Sequence, residues 1–172
     1  MIRRLLACVR TGAVAIAILC SGSVIDGERL EPSLVQQEAA RVSVPPLILF
    51  EVHDPRATTE AATGATTITF DDAVIAPGRV LRISVKAEGD LTRADGGPAP
   101  GAVISWRTSG ASNGVGVHGV LGKTAYTPVF QANPAARSGS VSVTWSIAFT
   151  GAPPRAGTHQ VALRWRIDSV AP

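Results

Sequence analysis

Three stretches of this chain alternate apolar and polar residues without a break, and that limits the fold more than any other feature. In 79–87, RVLRISVKA, Leu81, Ile83, Val85 and Ala87 fall on one side and Arg82, Ser84 and Lys86 on the other. In 140–149, SVSVTWSIAF, Val141, Val143, Trp145, Ile147 and Phe149 oppose Ser142, Thr144 and Ser146. In 156–170, AGTHQVALRWRIDSV, Val161, Leu163, Trp165 and Ile167 oppose Arg164, Arg166 and Asp168. A period of two belongs to a strand with one face in a core and the other in water; a helix, with its period of 3.6, would scatter these residues over its whole surface. Shorter candidates are Leu47–Val52, Thr66–Phe70, Ala102–Arg107 and Ala125–Phe130.

The breaks between these segments are loops. APGR (76–79) puts Pro77 and Gly78 where a type II turn requires them. ADGGPAPG (94–101), NPAARSG (133–139) and TGAPPRAG (150–157) interrupt any regular element. Seven or eight short strands, with no long amphipathic helix and no internal repeat, predict an all-β chain. The expected architecture is a single immunoglobulin-like antiparallel β-sandwich over residues 42–172, with a barrel as the alternative.

The N-terminus reads differently. Arg3, Arg4 and Arg10 precede or flank the apolar run Thr11–Cys20, and Ser21, Gly22 and Ser23 are small. This is the pattern of a signal peptide over residues 1–23, too short to span a bilayer core that takes about 20 apolar residues. Residues 24–41 form a polar leader, with one short helix expected over Ser33–Ala40. Removing three of the sixteen basic residues with the signal leaves thirteen against thirteen acidic, so the mature chain is neutral. A neutral chain with scattered arginines excludes nucleic acid as a partner. Cys8 and Cys20 both leave with the signal, so core burial must hold the domain together without disulfides. About 150 residues suffice for that. The expected location is exported: periplasmic, cell-surface or secreted.

Few residues suggest chemistry. GVGVHG (114–119) satisfies G-x-G-x-x-G, but the β-like TAYTPVF follows it where a phosphate site needs a helix N-terminus. It is expected to be a glycine-rich loop or hairpin. His53, His118 and His159 are far apart in sequence; Glu51 and His53 share a strand face and could supply two metal ligands, although a solvated strand edge explains them as well. Asp71 and Asp72 are adjacent, which suits a turn better than a catalytic pair. No catalytic residue, cofactor or metal site is assigned, and the chain is expected not to be an enzyme. Trp106, Trp145 and Trp165 lie within strands, in line with apolar neighbours. Trp106 is the candidate glycan contact, as a platform on which a sugar ring would stack.

The segment 138–170, with Ala156, Gly157 and His159 ahead of a last alternating strand, resembles the end of exported bacterial pilin-type and spore-coat-U-type domains. That resemblance implies a non-enzymatic structural or adhesive surface protein whose partners are other surface subunits. WSI (145–147) and LRWRIDSVAP (163–172) are also similar to the paired motifs of WxL-type cell-wall-binding domains, with Ile where Leu belongs and a much shorter separation. This second likeness implies the alternative function, a module that binds cell-wall or extracellular glycan.

Overall fold

A computed structural model describes residues 14–15, 38–150 and 155–172. The strands are β1 (Val14–Ala15), β2 (Ala39–Ser43), β3 (Leu47–Val52), β4 (Thr59–Glu60), β5 (Thr66–Val74), β6 (Val80–Ala87), β7 (Thr92–Arg93), β8 (Ala102–Ser112), β9 (Gly114–Gly116), β10 (Gly119–Val120), β11 (Thr127–Ala132), β12 (Gly139–Phe149) and β13 (Gly157–Val170). They form two antiparallel sheets packed face to face, an immunoglobulin-like β-sandwich. One sheet runs β1-β2-β5-β12-β8-β10 with β4 beside β12, and the other β3-β13-β6-β11-β9 with β7 beside β13. The eight longer strands divide four to each sheet.

Alternation builds the core. Val141, Val143, Trp145 and Ile147 of β12 face Ile83, Val85, Val161 and Leu163 of the opposite sheet, and all are buried. The three indoles form a cluster across the sandwich: the Trp106 and Trp145 rings are centred 5.3 Å apart and those of Trp145 and Trp165 6.4 Å apart, the latter pair edge-on. Each indole N–H has an acceptor, Val117 O for Trp106 (2.7 Å), Thr66 Oγ1 for Trp145 (3.2 Å) and Pro45 O for Trp165 (2.7 Å). Burial of these large rings therefore leaves no polar atom unpaired.

The chain passes from one sheet to the other many times. After β2 the chain crosses at Pro45–Pro46 into β3, so consecutive strands belong to different sheets. On the other side, Asn113, at positive φ (53°), leads β8 into β9 of the second sheet, and β10 then returns to β8. The type II turn at 76–79 forms as expected, with Gly78 at φ 76° and Arg79 N–H donating to Ala76 O at 3.1 Å.

The structure corrects two local expectations. Ala39 and Ala40 belong to β2, not to a helix, and the folded part begins ahead of residue 42; the rest of the helix expected over Ser33–Ala40 lies outside the described residues. Asp71 and Asp72 do not mark a turn. They are exposed within β5, at an irregularity where the pairing with β2 shifts register, and Asp72 (φ 53°) pairs with Arg41 at 3.1 Å. The signal segment and leader lie outside the described residues apart from Val14–Ala15, which pairs antiparallel with β2, and the leader's last residues from 38 onward.

Candidate functional site

Trp106 is 1% exposed, with its ring against Trp145 and Gly119. A stacking platform must present a ring face to solvent, and this indole presents none; the glycan contact assigned to Trp106 is corrected to a core role. The alternation that put Trp106 in line with Ile104 already carried that outcome.

The glycines of GVGVHG serve close packing. They occupy β9 and β10, with no helix after them. A Cβ at Gly114 would lie 2.2 Å from Phe130 Cζ, one at Gly116 2.6 Å from Thr108 Oγ1, and one at Gly119 2.4 Å from Trp106 Cζ2. The segment crosses between sheets over aromatic rings, and only hydrogen fits there. Gly119→Val is expected to cost about 1–3 kcal/mol in chemical denaturation, since the buried indole cannot swing away. Gly122→Ala, whose Cβ would meet only Ala125 O at 3.6 Å, serves as the near-neutral control.

Glu51 and His53 are both exposed, at the end of β3, and His118 lies between β9 and β10. Since β3 and β9 are opposite margins of one sheet, the structure does not bring these histidines together. His118 Nδ1 accepts from Thr108 N–H at 3.1 Å, which fixes its ring proton on Nε2. His159 is the histidine the alternation should have revealed, for it shares its parity with Val161 and Leu163. It is fully buried against Phe149 (5.6 Å between rings), with Nε2 3.2 Å from Arg155 O and Nδ1 without a partner among the described residues. No three His, Cys, Asp or Glu side chains converge to hold a metal among the described residues.

No nucleophile elbow is expected from the sequence, yet Gly-Ala-Ser-Asn-Gly at 110–114 does match the G-x-S-x-G spacing of one. Ser112 ends β8 and leads into β9 instead of a helix. Its Oγ lies 3.0 Å from Ser140 Oγ and accepts from Ser140 N–H at 3.0 Å. That is a strand pairing contact, and among the described residues no His, Asp or Glu hydrogen-bonds to it. At the opposite end of the sandwich Asp95 staples the 93–97 turn: hydrogen bonds from the Arg93 guanidinium and from Gly97 N–H hold its carboxyl below the ordinary range. A small cavity of about 110 Å³ opens at one end of the sandwich, floored by Leu91, Ile104, Leu121 and Val161, with Asp90 and Lys123 paired at its mouth.

The outer face of the sheet containing β12 is rich in hydroxyl side chains. Thr67 and Thr69 of β5, Ser140, Ser142, Thr144 and Ser146 of β12, and Ser105 and Ser109 of β8 all point away from the core. They stand in rows across the strands: Thr69 beside Ser140, Thr67 beside Ser142 and then Ser109, and Ser146 beside Ser105. Strand geometry spaces them about 4.8 Å across and about 6.7 Å along the sheet. The Oγ atoms of Ser105 and Ser146 hydrogen-bond at 3.0 Å. Two charged side chains stand in these rows, Arg107 beside Thr144 and Glu60 of β4 beside Ser146. Such a face can donate and accept many weak hydrogen bonds over a flat area. Comparison with protein-family models, with curated proteins and with solved structures found no match for this chain.

Proposed function

We propose that this is a non-enzymatic exported structural or adhesive surface protein, of the pilin-like kind, that makes its contacts through a sheet face. The hydroxyl-tiled outer face of β5, β12 and β8 carries this reading. A flat array of serines and threonines gives no enclosed pocket for a small substrate, yet suits repeated contact with an extended surface. The signal-like segment 1–23, basic, then apolar, then small, and the likeness of 138–170 to pilin-type domains agree with it.

The same face favours a second reading, a module for cell-wall or extracellular glycan, because rows of hydroxyls match the hydrogen-bonding groups of a polysaccharide. In that reading the face, and not Trp106, makes the contact.

Beads coated with the purified protein should adhere to cell-wall material, and Ser142→Glu at the centre of the face should reduce adhesion at least about tenfold, because it places an unpaired charge in the contact. The circular dichroism of the variant should be unchanged. Undiminished adhesion would remove the face from both readings. Competition by soluble cell-wall polysaccharide would select the glycan reading over the structural one.

A further inference from the structure

We infer that the open margin of β13 over Trp165–Ser169 is an interface for a second copy of this chain, with the two β13 strands pairing antiparallel about a two-fold axis at Ile167. The inference holds whatever the hydroxyl face contacts.

β13 is fourteen residues long, and β3 lies beside only Gly157–Ala162 of it. On its other side β6 accompanies Leu163–Val170. The hydrogen bonds fix which groups point where. Leu163 N–H donates to Pro46 O on the β3 side, whereas Ala162 O accepts from Glu88 N–H on the β6 side. Backbone direction alternates along a strand, so the N–H and C=O groups of Trp165 and Ile167 face the β3 side, beyond the point where β3 begins. Among the described residues no strand lies against them. The window is bounded by Pro45, which accepts the Trp165 indole N–H, and by Ser169, whose C=O accepts from Arg79 Nη2 and whose Oγ accepts from Arg79 Nε at 2.7 Å and donates to Glu38 Oε1 at 2.9 Å, so Arg79 must yield its place at that carbonyl when the outermost pair forms. Unpaired strand margins recruit strands.

The charges indicate which strand. With Ile167 opposite its own copy, Arg166 stands opposite Asp168 of the second chain, and Asp168 opposite its Arg166. Because Ile167 directs its hydrogen bonds across the junction, residues 166 and 168 fall in the non-hydrogen-bonded pairs, where side chains approach most closely. Both point outward: Arg166 is 53% and Asp168 29% exposed, they pair within one strand at 2.8 Å, and the Arg166 guanidinium also lies over the Tyr126 ring, 4.8 Å from its centre, which it leaves to meet the second chain. The junction would join two such pairs into a ring of four alternating charges. A margin carrying one sign would repel itself; this one is complementary to itself, as a two-fold contact requires. The sequence of 24–37 does not alternate as a competing strand would, since Leu30 and Leu34 are four apart with Pro32 between them.

Five residues make a short junction, so a weak dimer is expected. Sedimentation of the purified protein, with Cys8 and Cys20 replaced by Ser, should show concentration-dependent dimerisation. Arg166→Asp and Asp168→Arg should each weaken it about tenfold, and the double exchange should restore it. Ile167→Cys should form a disulfide-linked dimer, as paired Cα atoms there would be about 5.5 Å apart. Ser169→Cys should not, because its two copies would be about 14 Å apart. A protein monomeric at every concentration overturns the inference. So does a dimer indifferent to the charge changes, which would use another face, and so does one that appears only when residues 24–37 are removed, which would mean the leader covers this margin.

Discussion

Trp145→Ala is expected to destabilise the domain by about 3–5 kcal/mol, the largest single loss available in this core. The side chain is 0% exposed and sits between the other two indoles, one from its own sheet and one from the opposite sheet. Truncation removes both ring contacts, opens a void where the sheets meet, and strips Thr66 Oγ1 of its donor. A domain of this size stands about 5–15 kcal/mol above its unfolded state, so the variant retains a fraction of that margin. Thermal unfolding should move down by roughly 10–20 °C. A shift of only a degree or two would mean that the indole cluster is not the centre of the core.

Leu163→Ala should cost about 2–5 kcal/mol for a related reason on the opposite sheet. Leu163 is 6% exposed, lies beside Ala87 of β6, and its N–H marks the last bond between β13 and the β3 side. The two outward neighbours are a built-in comparison. Arg164→Ala removes a side chain that is 58% exposed and pairs with Glu88 only at 3.4 Å. It should change stability by less than about 1 kcal/mol. Equal losses at 163 and 164 in urea unfolding would refute the inward-outward assignment along β13.

Much of this architecture is legible in the sequence because a single signal, alternation, fixes both element and face. It places Val141 through Phe149 and Val161 through Ile167, and it assigns His159 and Trp106 inward to anyone who follows the parity to its end. What escapes it are the positions where the parity is interrupted. Asp71–Asp72 read as a turn because two adjacent acids rarely sit within a strand; a bulge with positive φ at Asp72 accommodates them. GVGVHG (114–119) reads as a glycine-rich loop or hairpin because its glycines hide the fact that each replaces a side chain for which Phe130, Thr108 or Trp106 leaves no room. The hydroxyl face was visible residue by residue as the polar half of each strand. Its rows across three strands depend on register, which no single strand encodes.

The position of β13 within its sheet also sets the order in which the molecule can be built. The last strand of the chain is an interior strand, and its partner β3 comes from near the beginning of the fold: Val161 pairs with Ile48. Such pairings close very long loops, so contact order is high and folding falls in the slow, millisecond-to-second class. Until residue 157 and beyond are available, β3 and β6 each lack a neighbour, and half of the sandwich has nothing to assemble around. A sandwich arranged in this way stays open until β13 is in place.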